Sequence, residues 1–155
     1  MINEDHSVWM REAYHQALYA STIGEVPVGA VVVRNGRVIG AGHNQPIRSC
    51  DPTAHAEIMA LKEAACTMGN YRLNAAALYV TVEPCLMCAG ALIHARIDIL
   101  VYGVAEPKTG AVCSVMRALD HPALNHSVEV ISGILEPECR ELMQVFFRDK
   151  RISVG

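Results

Sequence analysis

The stretch Ala77-Leu78-Tyr79-Val80-Thr81-Val82-Glu83-Pro84-Cys85-Leu86-Met87-Cys88 holds two secondary-structure elements and the joint between them. Residues 77–82 form a short apolar run rich in β-branched and aromatic side chains, which predicts a buried strand. Pro84 suits a helix start, because its φ is already set and its missing N–H would be unpaired there in any case. The helix expected over 85–95 leads into a second buried strand over 97–104. Two cysteines at i and i+3 on the first turn of that helix point to the same side.

The same reading extends outward in both directions. Residues 28–33 and 38–42 are β-branched runs joined by Asn35-Gly36, the strongest short hairpin signal. Asp51-Pro52-Thr53 reads as a turn and cap before a helix over 54–68, and residues 8–21 carry apolar residues at helical spacing after Ser7 as cap. A strand over 128–131 and an amphipathic helix over 137–147 follow. Strands alternating with helices after an opening hairpin predict an α/β fold, a mixed sheet with helices on both faces. Ligands in open α/β sheets sit beyond the carboxyl ends of strands, which is where residues 83–88 fall.

Composition narrows the class. The chain has 155 residues, about one domain (1–155), with 52% hydrophobic and 19% charged residues. No apolar stretch is long enough to span a bilayer, so no membrane association is expected. The opening Met1-Ile2-Asn3-Glu4-Asp5-His6 is polar and acidic, unlike a signal peptide. With six cysteines and no secretion signal, a reducing cytoplasm is the expected location. The net charge of −3 means that any nucleic-acid contact must rest on a local basic patch.

His55-Ala56-Glu57 and Cys85-x-x-Cys88 together supply three zinc ligands and one further carboxylate. A structural zinc site closes with four protein ligands, whereas a catalytic one keeps a place for water. His55, Cys85 and Cys88 make three, and helix N-termini favour the thiolate forms of the cysteines. Glu57 lies too near His55 in the chain to be the obvious fourth ligand, yet near enough to reach a water at the ion. A non-ligating carboxylate there can carry protons between water and substrate. Cys50, Cys66, Cys113 and Cys139 stand alone and read as small apolar residues.

H-x-E followed by P-C-x-x-C is the pattern of the zinc deaminases. Beyond it, the chain closely resembles the bacterial tRNA-specific adenosine deaminases of the cytidine/deoxycytidylate deaminase superfamily. The resemblance runs from about residue 8 to residue 148. Its carriers are Glu25-Val26-Pro27-Val28-Gly29-Ala30, Gly42-His43-Asn44, Asp51-Pro52-Thr53-Ala54-His55-Ala56-Glu57-Ile58, Tyr71-Arg72-Leu73, Leu78-Tyr79-Val80-Thr81, Lys108-Thr109-Gly110-Ala111, Asn125-His126 and Phe146-Phe147-Arg148. It implies a three-layer α/β/α cytidine-deaminase-like fold, a homodimer, one zinc per chain, and conversion of the wobble adenosine of a tRNA anticodon stem-loop to inosine. His55, Cys85 and Cys88 then hold zinc, Glu57 shuttles protons, Asn44 contacts the target nucleotide, and Val26 to Ala30, including Val28, line the base pocket. Glu106-Pro107-Lys108-Thr109-Gly110 resembles the family loop that touches the RNA, and Arg148, Lys150 and Arg151 form a small basic cluster compatible with phosphate contact. Read by pattern alone, Val28 and Ala30 are strand core, Asn44 ends a hairpin, Lys108 is a solvated turn residue and Arg148 a solvated helix end. Glu106 stands where many members carry aspartate, one methylene longer beside the bound strand.

Two other readings use the same residues. A deaminase of free purines or nucleosides, such as guanine deaminase, needs the same zinc chemistry but no RNA-facing segments. A binding module with a purely structural zinc leaves Glu57 without a role.

Overall fold

The computed structural model describes residues 2–154. The opening hairpin pairs β1 (Gly29–Arg34) with β2 (Arg37–His43) in antiparallel register, Ala30 opposite Gly42. Its turn, Asn35-Gly36, has positive φ at both residues (52° and 69°), which matches the right-handed twist of the strands it joins. β1 also pairs antiparallel with β3 (Ala77–Val82), and β3 runs parallel to β4 (Ile99–Val104), which runs parallel to β5 (Glu129–Ser132). The result is a mixed five-stranded sheet in the order β2-β1-β3-β4-β5.

Alternating side chains separate the two faces. Ala30, Val32, Leu78, Val80, Leu100 and Tyr102 pack with Ala56, Ala60 and Ala64 of a central helix and with Leu92 of the helix after β3. Val31, Val33, Tyr79 and Val101 face the opposite way, against Met10 and Ala13. The helices are α1 (Ile2–Thr22), the four-residue α2 (Pro46–Ser49), α3 (Ala56–Met68), α4 (Leu86–His94) and α5 (Glu136–Val154). α1 covers one face, with α5 beside it through Arg11 and Glu138, and α3 and α4 cover the other. This is the three-layer α/β/α arrangement.

Both terminal helices are longer than the periodicity suggests. α1 continues ahead of Ser7 because His6 is buried and its Nδ1 lies 2.8 Å from the Tyr79 hydroxyl, so that turn has a docking contact of its own. α5 does not stop at Phe147: no Gly or Pro stands between Phe147 and Val154, and Arg148, Lys150 and Arg151 extend it as good helix formers near its favourable C-terminal end. The basic cluster is therefore helical.

Two glycines on β2 set the distance to α3. A Cβ on Gly40 would lie 2.3 Å from the Ala60 carbonyl oxygen, and one on Gly42 2.6 Å from that of Ala56. The alanines on the facing side of α3 complete a backbone-to-backbone approach that larger residues forbid. Gly42→Ala should lower stability by about 1–3 kcal/mol through overpacking, measured by urea unfolding, with the native strand content retained.

Candidate active site

α3 and α4 begin close together beyond the end of β3. His55 is the N-cap residue of α3 and Cys85 that of α4, both with extended backbone, so each stands at the threshold of its helix rather than in the opening turn. Cys88 lies one turn into α4 and is fully buried. The three side chains converge. His55 Nδ1 is 3.6 Å from Cys85 Sγ and 3.6 Å from Cys88 Sγ, and all three ligand atoms lie within 4.8 Å of one another. Bonds of about 2.05 Å to nitrogen and 2.3 Å to sulfur at the tetrahedral angle put N and S about 3.6 Å apart, so the triplet fits a tetrahedral ion such as zinc.

The electrostatics agree with that use. The Cys88 thiol beside it and the His55 imidazole pull the Cys85 thiol down to about 4, outweighing burial, so Cys85 is a thiolate. The bond to Cys85 and its own burial hold Cys88 well above the ordinary thiol value. His55 is raised by its contact with the Cys85 sulfur. A thiolate beside a second thiol and an imidazole is a donor set from which a divalent cation displaces the remaining protons on binding.

Glu57 follows on the first turn of α3, 4% exposed. Burial pushes its carboxyl up to about 7, and the negative charge of Cys85 adds to the rise. It lies outside the ligand triplet but on the same cavity, a space of ≈170 Å³ whose walls include Val26, Val28, Asn44, His55, Glu57, Cys85, Thr109 and Phe147. A second space of ≈740 Å³ opens beside it and shares Val82, Glu106, Met143 and Phe147.

The comparisons with known proteins bear on this geometry. Residues 4–151 match the family described as MafB19-like deaminase. The tRNA-specific adenosine deaminase of Haemophilus influenzae is 49% identical over 143 residues, covering 92% of this chain and 83% of that protein. That of Bacillus subtilis is 43% identical over 144 residues, covering 93% and 89%. A solved structure from a study of A-to-I editing by tRNA:A34 deaminases at the wobble position of transfer RNA superposes with a TM-score of 0.84. It is 45% identical, with 86% of this chain and 97% of that one covered. The chain belongs to the tRNA-specific adenosine deaminase family.

The remaining expected site residues are placed at different depths in this deaminase. Val26 and Val28 line the cavity, but Ala30, opposite Val80 on β3, is fully buried in the core behind them. Lys108 borders the larger neighbouring space, together with Arg140 and Arg151. Arg148 is exposed on α5, with its Nε 3.7 Å from Asp149.

Asn44 has an unexpected second task. Asp51 and Thr53 do form a turn, the Thr53 N–H donating to Asp51 Oδ1 at 2.8 Å, but they do not cap α3. The cap comes from Asn44, whose Oδ1 accepts the Ala56 N–H at 2.9 Å across twelve residues of sequence. The same residue also lines the cavity. Asn44→Ala should cost about 1 kcal/mol of stability as a lost cap, whereas Asn44→Asp, which keeps the acceptor, should cost much less; chemical denaturation of the two variants compares them.

Sequence reasoning passed over Glu83, Met143 and Thr109 as cavity-wall residues. Glu83 had one visible signal, an acidic residue directly after a buried strand. Its carboxylate accepts hydrogen bonds from Glu106, Val112, Cys113 and Ser114. Burial alone would raise its carboxyl, but the Ser114 hydroxyl and the N–H groups of Ser114, Cys113 and Glu106 hold it down at about 2.

Proposed function

We propose that this deaminase hydrolyses the wobble-position adenosine of a tRNA anticodon to inosine, releasing ammonia, with one zinc ion per chain. The observation that carries the reading is a His-Cys-Cys triplet of which His55 and Cys85 line one cavity together with the buried Glu57 carboxylate and Asn44. The named activity of the Haemophilus and Bacillus relatives supports tRNA as the substrate.

Each residue has a distinct part. His55 through Nδ1, with Cys85 and Cys88 through Sγ, would hold zinc, which when bound lowers the pKa of water and so supplies a nucleophile near neutral pH. Glu57, with its carboxyl near 7, both holds and releases a proton readily. It takes one proton of the incoming water and passes it to a ring nitrogen, then takes the proton of the hydroxyl now on the ring carbon and gives it to the departing amine as the carbonyl forms. The Asn44 NH₂ donates to the nucleotide, and Val26 and Val28 form an apolar wall against the base. An anticodon-loop base is already unpaired, so splaying it into the cavity is cheap. Lys108 and Arg148 make the phosphate contacts, with Arg151 beside Lys108 in the larger space. Among the described residues no helix is long and apolar enough to cross a membrane, and we place the enzyme in the cytoplasm with its substrate.

The test is inosine formation on a synthetic anticodon stem-loop with adenosine at the wobble position, with free adenosine in parallel. Inosine should form from the RNA and not from the nucleoside. Glu57→Ala should keep its zinc and lose about 10²–10⁴-fold in kcat. Turnover of free adenosine at a matching rate would point instead to a nucleoside deaminase.

The enzyme acts as a homodimer in this reading. Ile58, Leu61, Ala65, Tyr71 and Ala91 line a ≈340 Å³ depression on the outer side of α3 and α4. Tyr71, and Leu86 and Met87 on α4, are exposed apolar side chains of the kind that a partner covers. Sedimentation velocity should give a dimer for the natural chain and a monomer for Ala91→Glu, which buries a charge in that contact.

A further inference from the structure

No helix or strand is found among residues 105–128, yet this segment forms one side of the cavity. What holds its first part in place is Glu83, 3% exposed at the end of β3. Glu83 Oε1 accepts the Glu106 N–H at 3.1 Å and the Ser114 hydroxyl. Oε2 accepts the N–H groups of Val112, Cys113 and Ser114 at 3.1, 2.8 and 3.0 Å. Successive backbone N–H groups turned to one point make an anion nest. Here the anion is the chain's own carboxylate, with its acceptor capacity taken up by five donors.

Two independent features show that the loop is shaped around this group. A Cβ on Gly110 would lie 2.4 Å from Glu83 Cδ and 2.5 Å from the Glu106 carbonyl oxygen, so only glycine lets the loop close over the carboxylate. The Ala111 N–H also donates to the Pro84 carbonyl oxygen at 2.9 Å, next to Cys85. The clamped loop presents Glu106 and Thr109 to the cavity and Pro107 and Lys108 to the larger space beside it.

We propose that Glu83 is a positioning residue for the RNA substrate. It fixes the wall carrying Glu106, Thr109 and Lys108 against the strand end that leads into Cys85, and so sets how tightly the target is held rather than the chemistry at the ring. This rests on the tRNA reading above. Glu83→Gln keeps the shape but turns an NH₂ toward donors, and Ser114→Ala removes one donor while leaving β3 untouched.

The experiment measures metal content, amide hydrogen exchange over 106–114, and kcat and KM on the wobble-adenosine stem-loop. In Glu83→Gln, exchange at 112–114 should quicken by about tenfold or more. KM should rise about tenfold with kcat within about twofold, the signature of lost uniform binding. Zinc content should be unchanged, and Ser114→Ala should move exchange and KM the same way by less. If Glu83→Gln does not fold, Ser114→Ala decides by the same criteria. A fall in kcat at constant KM, zinc loss from folded protein, or unchanged exchange overturns the proposal. Failure of the natural enzyme to make inosine would instead overturn the tRNA reading, leaving the exchange data to judge the clamp.

Discussion

Close contact between the backbones of β2 and α3 is the constraint from which the site follows. Gly40 and Gly42 leave no room for a Cβ against the carbonyls of Ala60 and Ala56, so α3 lies almost directly on the strand. Its N-terminus then falls just past the end of β2, where Asn44 reaches the Ala56 N–H. With that end pinned, His55 and Glu57 enter the cavity from a fixed direction. α4 starts where β3 ends, so Cys85 and Cys88 meet His55 without any long flexible segment. A ligand set built on helix starts and strand ends is held by the core itself.

Three buried glutamates show how surroundings decide role. Glu57 and Glu83 are both largely withdrawn from solvent, yet one is pushed up to about 7 and the other held at about 2. The Glu57 carboxyl lies deeper among protein atoms, and the two differ in their hydrogen-bond donors. Glu83 is encircled by five, which favour its charge, while Glu57 faces desolvation and a thiolate, which oppose its charge. Glu25 resembles Glu83, accepting the N–H groups of Ile47 and Arg48 and tying down the segment after Asn44. One carboxyl is therefore suited to moving protons, and two serve to hold loops on either side of it.

Much of the fold was legible because its signals are local. Asn35-Gly36 between β-branched runs announces its turn through the φ it must adopt, and Pro84 after an apolar run marks a strand-to-helix joint. The His55, Glu57, Cys85 and Cys88 spacings could be read because a helix start dictates which side chains share a side. The cap on α3 could not be read that way, since Asn44 supplies it from twelve residues upstream. Ala30 was indistinguishable from Val28 by pattern, both being small apolar residues on one strand face. Only the depth of the sheet separates cavity wall from core. α5 outran its apolar periodicity because polar residues such as Arg148 and Lys150 sustain a helix without contributing to the stripe.

By itself the sequence determined the elements, the mixed α/β class and the ligand chemistry, since each depends on residue type and on spacing within one element. Tertiary structure decided which groups share a cavity, the protonation of Glu57 and Glu83, and the hold of β3 on the loop after β4. Those depend on burial and on donors brought together from distant positions. The five hydrogen bonds at Glu83 come from residues 23 to 31 positions away, a distance over which no local pattern carries information.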